Sequence, residues 1–256
     1  AHASAPVNGT IIGASSINDN TTAPGLVDPA SGNFRLDSLG AAADMGDPDA
    51  PVPVDFEEDV RPSNQGFDMG ADEIAGCYAR VDGVIYGSPQ VALVMADPGD
   101  QIDVAGICLG VNSVDTGGAL GTIQQTVYIS KNVTFVGGWR EDFSVQDSVT
   151  VFDALTLGRV IYVAPGISTT LRRIDIRNGD ATVAGGNAHG GGIYIDQAEA
   201  TLETLNIYDN VGTNGGGIYI ANATPTIQLG NRIHDNTANN GAAVYINNST
   251  GTAAIH

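Results

Sequence analysis

The sequence predicts an all-β fold, a parallel β-solenoid in which short strands stack on one another turn after turn. A tripeptide of an aliphatic residue, tyrosine and a second aliphatic residue occurs at 127–129, 161–163, 193–195, 218–220 and 244–246. Its tyrosines are Tyr128, Tyr162, Tyr194, Tyr219 and Tyr245. The last three copies follow the small-residue sequences HGGG, NGGG and NGAA, which permit a sharp corner before a strand.

Each repeat is too short to enclose a core, so its inward aliphatic residues must be buried by stacking on the neighbouring repeat. Two of the repeats also carry Ile-x-x-Asn, at 207–210 and 233–236. Asparagine at a repeated turn tolerates left-handed backbone and bonds to neighbouring backbone groups. We therefore expect a ladder formed by Asn210 and Asn236 and extended by Asn20.

The chain divides into three regions by composition. Residues 1–43 form an N-terminal arm with part of a repeat and a closing segment, and residues 44–75 form an acidic linker rich in proline and glycine. We predict that residues 76–256 form the solenoid, with a cap at about 88–105 and an open C-terminal end. Within the cap, Pro89 and the Asp-Pro-Gly sequence at 97–99 predict a short helix from about Pro89 to Ala96.

The arm repeats the back half of a C-terminal unit. When 10–21 is aligned without gaps on 226–237, the identical positions in the arm are Thr10, Ile11, Ile17, Asp19, Asn20 and Thr21. The arm would supply a missing turn to the open end of a neighbouring molecule, giving a filament, or to its own molecule, giving a permuted monomer. A third alternative is a fragment that bridges two tandem solenoids of a larger protein. The predicted contact residues are Ile11, Ile12, Ile17, Asn20, Val244, Ile246 and Ile255.

The net charge of −19 argues against binding to nucleic acid or anionic lipid. No stretch approaches the about 20 apolar residues of a membrane-spanning helix, so no membrane insertion is expected.

The chain does not begin with methionine or a signal peptide, and we expect it to be processed or cut from a precursor. Several Asn-x-Ser/Thr sequences would lie in surface loops of an extracellular or cell-surface protein.

Cys77 and Cys108 are separated by close to one repeat length. In an extracellular protein this spacing suits a disulfide between neighbouring turns. The alternative, a reactive thiol pair, lacks a CxxC sequence or an adjacent histidine. We therefore predict the disulfide.

The tyrosines of the repeated tripeptide lie between inward-facing aliphatic residues, so they should point outward and stack along one face. Such a ladder is either structural, with each ring covering the next, or an aromatic strip for sugar chains or a neighbouring filament.

The stretch TLRRIDIRNGD at 170–180 contains the residues on which an enzymatic reading would depend. In a continuous strand Arg173, Asp175 and Arg177 would share one face as a surface ion-pair stripe. A hydrolase needs further carboxylates across a groove, and no second acidic cluster lies one repeat away. The glycines beside His189 are already explained by the corner of the repeat, so they do not indicate a catalytic histidine. For these two reasons no catalytic residue is assigned. Asp44, Asp47 and Asp49 are candidates for Ca²⁺, and no other cofactor is expected.

The pattern GGGIYI and IHDN resembles the GGA-I and F-x-x-N repeats of polymorphic outer-membrane proteins, with isoleucine in place of phenylalanine. More broadly, residues 77–256 resemble the right-handed parallel β-helix of the pectate-lyase-like superfamily. The stretches at 28–47 and 67–73 resemble the closing segment of surface β-helix proteins. The resemblance implies a right-handed β-helix, but not an activity, because this superfamily hosts many activities.

Together these observations predict a non-catalytic extracellular structural protein that assembles head to tail through its N-terminal arm. A glycan-binding adhesin module of a larger surface protein is the alternative. A polysaccharide lyase or hydrolase that uses Asp175 or Asp180 is a third hypothesis.

Overall fold

The computed structural model describes residues 26–28, 33–36, 76–118, 120–228, 230–247 and 254–255. The chain divides into two units, Ala1–Ala75 and Gly76–His256. In the first unit, strand β1 (Leu26–Asp28) pairs antiparallel with β2 (Asn33–Leu36). The second unit contains the repeated tripeptides.

The second unit is almost entirely β-structure. Its elements in chain order are β3 (Cys77–Val81), β4 (Val84–Tyr86), helix α1 (Pro89–Met95), β5 (Gln101–Leu109), β6 (Asn112–Asp115), β7 (Thr122–Ile129), β8 (Thr134–Trp139), β9 (Val151–Asp153), β10 (Arg159–Val163), β11 (Ser168–Arg172), β12 (Asp175–Arg177), β13 (Ile193–Asp196), β14 (Glu199–Glu203), β15 (Asn206–Tyr208), β16 (Val211–Asn214), β17 (Ile218–Ala221), β18 (Thr226–Ile227), β19 (Arg232–His234), β20 (Thr237–Asn240), β21 (Val244–Asn247) and β22 (Ala254–Ile255). No helix within the described residues is long and apolar enough to cross a membrane.

One sheet runs in the order β6-β7-β10-β13-β17-β21, and all its neighbours are parallel except the antiparallel pair β6 and β7. The five repeated tyrosines lie opposite one another along it, so the register follows the repeated tripeptide. The chain thus returns to the same sheet, one strand further on, after each repeat.

A second sheet contains two further parallel rows that meet at β5. The first half of β5 pairs with β8, which leads the row β8-β11-β14-β18-β22, and its second half pairs with β9, which leads β9-β12-β15-β19. A short row of β16 and β20 lies apart. The result is a strongly curled, mainly parallel structure that is compatible with the predicted solenoid.

The corners between the rows are built from residues with positive φ. They form four columns that advance by one repeat: Gly166, Gln197 and Asn222; Arg173, Thr204 and Gly230; Asn178, Asp209 and Asp235; Gly190, Gly215 and Gly241. In the last column, a Cβ added to Gly215 would lie 2.3 Å from the carbonyl oxygen of Ile218. Glycine is therefore required there, which explains the small-residue sequences before three of the tripeptides.

The core lies between the rows and consists of the inward aliphatic and aromatic residues of successive turns. It includes Phe135, Phe152, Ile161, Val163, Leu171, Ile176, Ile193, Ile195, Leu202, Ile207, Ile218 and Ile220. Burial of each such side chain contributes about 1.5–3 kcal/mol relative to its exposed state. Because each turn covers the turn before it, this contribution exists only when neighbouring turns are stacked.

The N-terminal edge of the parallel rows is closed. Strand β3 pairs antiparallel with β5, and β6 pairs antiparallel with β7. Helix α1, capped by the Ser88 side chain, buries Ala92 and Leu93. Its Gln90 side chain accepts a hydrogen bond from the Tyr128 amide at 2.8 Å and donates to the Tyr128 carbonyl oxygen at 3.4 Å. These elements stop the addition of another parallel strand at this end.

A disulfide joins Cys77 in β3 to Cys108 in β5. Sequence analysis predicted it between two neighbouring turns, whereas these two strands are an antiparallel pair at the closed edge. The bond therefore fixes the closing strand to the first long strand of the core.

We expect the double variant Cys77→Ser, Cys108→Ser to lose about 2–4 kcal/mol of unfolding free energy, because the unfolded chain would no longer be cross-linked. Urea denaturation followed by circular dichroism measures this change. Reductant should lower the stability of the native chain to a similar extent and leave the double variant unaffected. Equal stability of the two proteins without reductant would contradict the prediction.

Candidate functional site

The candidate site is the edge opposite the closed one, formed by β19, β20 and β21 and called the open edge below. Each of these strands pairs with the preceding turn, through β15, β16 and β17 respectively. On their other side, no strand within the described ranges pairs with them. Only the row that contains β18 continues, because β18 pairs with β22.

Burial changes sharply at the open edge. Ile207, Ile218 and Ile220 are fully buried one turn earlier. Of their counterparts, Ile233 and Val244 are only half-buried, and Ile246 is 45% exposed. The last described turn therefore presents inward-type aliphatic residues beside unpaired backbone groups, which is the chemistry of a strand-addition surface.

The structure places only some of the predicted interface residues. Val244 and Ile246 lie on the open edge, and Ile255 lies in β22, in backbone register with Ile227. Ile11, Ile12, Ile17 and Asn20 lie outside the described residues, as do the calcium candidates Asp44, Asp47 and Asp49. Within the described part of the chain, no three His, Cys, Asp or Glu side chains are grouped so that they could hold a metal ion.

Asn210 and Asn236 bond in the same way at successive turns. The Asn210 Oδ1 atom accepts from the Gly179 amide at 2.8 Å, and its Nδ2 group donates to the carbonyl oxygens of Ile176 and Tyr208. One turn later, Asn236 Oδ1 accepts from the Asn210 amide at 3.0 Å. Each asparagine thus ties its turn to the preceding one. The Asn236 amide has no acceptor among the described residues, so the ladder stops at the open edge.

The five tyrosines form a continuous stack with ring centroids 5.4, 5.1, 4.9 and 5.6 Å apart. The rings point away from the aliphatic core, as an outward ladder requires. Tyr162, Tyr194 and Tyr219 are nevertheless only 2%, 5% and 4% exposed. The faces of these three inner rings are covered by their neighbours in the stack, so they are not free for a sugar to pack on.

Residues 181–189, called the strap below, cover the stack from outside. The Ala184 carbonyl accepts from the Gln124 amide at 2.7 Å, and the Asn187 side chain donates to the Tyr194 hydroxyl at 3.1 Å. The His189 ring stacks on Tyr219 with centroids 4.6 Å apart. Sequence analysis missed this strap. The only signal in the sequence was a spacing: the segment from Tyr162 to Tyr194 is longer than the segment from Tyr194 to Tyr219.

Arg159, in β10, holds the strap in place through hydrogen bonds. Sequence analysis did not identify this residue. The side chain is 1% exposed, and its guanidinium donates to the backbone carbonyls of Asn187 and His189. It lies over the Tyr194 ring at 5.4 Å, and no described carboxylate pairs with it. Burial lowers the pKa of Arg159 to about 10 and raises the pKa of Tyr194 to about 12. Arg159 therefore fixes the strap through neutral acceptors.

The predicted stripe of Arg173, Asp175 and Arg177 on a single strand is wrong. Strand β11 ends at Arg172 and β12 begins at Asp175, because Arg173 occupies a corner with φ of 57°. Arg177 instead pairs across turns with Asp153, at 2.8 Å. Asp180 accepts from the amide and hydroxyl of Thr182 at the start of the strap. Arg177 and Asp180 are therefore each engaged in contacts within the protein.

Comparison of the chain with protein-family models, with curated proteins and with solved structures finds no match. The functional argument therefore depends on the geometry of the edges.

We expect Asn210→Ala to lower the unfolding free energy by about 2–3 kcal/mol, since it leaves the buried Gly179 amide and two carbonyls without their partner. Asn236→Ala is the matched control at the half-buried open edge, where water can replace the side chain, and should cost less. Urea denaturation of both variants measures the difference. Equal losses would contradict the ladder as described.

We also expect the stability to depend on His189. Burial, and secondarily the charge of Arg159, lower the pKa of His189. As pH falls below the ordinary value of about 6.5, the unfolded chain binds this proton first, so the unfolding free energy decreases until the folded-state pKa is reached. His189→Gln should flatten this decrease, whereas His234→Gln serves as a control outside the strap. Urea denaturation at a series of pH values tests this, and an unchanged profile in His189→Gln would refute it.

Proposed function

We propose that this chain is a non-catalytic extracellular structural protein whose parallel strands form a right-handed β-helix. Its function is head-to-tail assembly into a filament or surface layer. The observation that carries the proposal is the contrast between the two edges. One edge is closed by antiparallel strands and a helix, and the other presents three strands whose outer sides pair with no strand among the described residues.

The contact is strand addition at the open edge. A partner strand laid along β19 would accept and donate the backbone hydrogen bonds that β15 already makes on the other side. It would also cover Ile233, Val244 and Ile246, which contribute apolar area to the contact. Unpaired edges of this kind associate unless they are blocked, and the described part of this edge carries no proline.

The N-terminal arm has the sequence that this edge requires. In the ungapped alignment of 10–21 on 226–237, Ile17 corresponds to Ile233 and Asn20 to Asn236. A next turn built from the arm of a second copy would place an asparagine Oδ1 at the Asn236 amide. This repeats the bonds from Gly179 to Asn210 and from Asn210 to Asn236.

The direction of assembly follows from the closed edge. Since β3 and β6 run antiparallel to the rows they cover, the body of a second copy cannot continue the parallel rows from that side. The arm of one copy on the open edge of the next is a heterologous contact, and its repetition produces an open polymer. The net charge of −19 opposes the association of copies, so assembly should be favoured by salt.

We expect the full chain to form filaments visible by negative-stain electron microscopy, and Ile246→Lys to remain a 26.2 kDa monomer by light scattering, because it places a charge on the open edge. Val94→Lys is the matched control, an exposed apolar residue on α1 at the closed edge, and should polymerise normally. Deletion of residues 1–43 should also give monomers. Ile246→Lys retains the arm, and the deletion variant retains the native open edge. A mixture of the two should therefore form a dimer and no filament.

Filaments from the deletion variant would refute the role of the arm. A monomeric native chain would mean that the arm binds within its own molecule or that other segments cover the edge. A failure of the two variants to form a dimer would refute the contact even if the native chain polymerised.

A further inference from the structure

The described residues contain three Asn-Gly pairs, at 178–179, 214–215 and 240–241, and their glycine amides differ. The Gly179 amide donates to Asn210 Oδ1 at 2.8 Å, and the Gly215 amide donates to the Asn240 carbonyl at 3.0 Å. The Gly241 amide has no acceptor among the described residues. Within the described part of the chain, the Gly241 nitrogen is thus the one of the three without a hydrogen-bond acceptor.

Exposure separates the three pairs in the same way. Gly179 and Gly215 are buried, and the asparagines before them are half-buried. Asn240 and Gly241 are both exposed at the open edge. The Asn240 side chain makes one described contact, in which its Nδ2 group donates to Asn214 Oδ1 at 2.8 Å on the exposed side of β16 and β20.

We infer that Asn240 is a site of spontaneous deamidation. The Gly241 amide nitrogen loses its proton to solvent base and attacks the Asn240 side-chain carbon Cγ. A bond from Cγ to the Gly241 nitrogen forms, the bond from Cγ to Nδ2 breaks, and ammonia leaves with a proton from solvent. Water then opens the resulting succinimide ring to aspartate or isoaspartate. Glycine at 241 favours the attack because it has no Cβ to obstruct it.

The modification alters the open edge in two ways. A carboxylate at position 240 cannot donate to Asn214 Oδ1, so this side-chain hydrogen bond between β16 and β20 is lost. Isoaspartate also adds a methylene to the main chain and shifts the backbone groups of β20 that an added strand would meet. An aged open edge should therefore accept a strand less well.

Assembly would protect the site, a consequence that rests on the proposed function. When the same ungapped alignment is continued, Pro24 and Gly25 of the arm correspond to Asn240 and Gly241. A Pro24 carbonyl in the next turn would accept from the Gly241 amide as the Asn240 carbonyl accepts from Gly215. An engaged and covered amide nitrogen no longer attacks without local opening.

The test uses full-length Ile246→Lys, and light scattering first confirms that the sample is monomeric. The protein is incubated in mildly alkaline buffer, and each Asn-Gly pair is quantified by peptide mass spectrometry and isoaspartate analysis. We expect Asn240 to react at least about tenfold faster than Asn178 and Asn214, because attack at the other two requires local opening first. In urea, which removes the structure, the three rates should converge. Similar rates in the folded protein, or faster reaction at Asn214, would overturn the inference.

A parallel incubation of the native chain tests the protection separately. Slower reaction at Asn240 in native filaments than in Ile246→Lys supports the covering of the edge by a second copy. Equal rates in the two proteins would refute that covering and leave the deamidation site established.

Discussion

The structure depends on one constraint, which is that no turn within the described part of residues 76–256 encloses a core of its own. The inward aliphatic residues of each turn are buried only by the turn stacked against it. Parallel pairing in strict register is the way in which successive turns achieve this. The corners with positive φ, the tyrosine stack and the asparagine contacts all follow, because each places the next strand at the same position one repeat further on.

The same constraint makes the ends of the stack different from its middle. At the start, antiparallel strands and a helix satisfy the backbone of the first turn and cover its apolar residues. At the open edge, Ile233 and Ile246 remain at least partly uncovered within the described residues. The strand-addition proposal therefore concerns the same surface that a further turn of the stack would occupy, and it requires no new kind of contact.

Repetition determined what could be predicted from the sequence. Because the tyrosine tripeptide recurs, both its parallel pairing and the outward direction of its rings could be inferred, and Pro89 with the Asp-Pro-Gly sequence located the helix. Features that occur once could not be inferred. Nothing local marks Arg173 as a corner residue, since its left-handed conformation is unusual for arginine. The strap and its anchor Arg159 depend on contacts between separate turns.

The strap also makes the resistance to unfolding differ along the stack. Its contacts with Gln124, Arg159, Tyr194 and Tyr219 span β7, β10, β13 and β17, so these four strands must separate together. The disulfide reinforces the same end. Strand β21 lies beyond the strap, and among the described strands it pairs with β17 alone. Under tension or heat, β21 should separate from β17 first, and the four strands that the strap connects should separate later. Unfolding should therefore begin at the open edge and slow down when it reaches the strap.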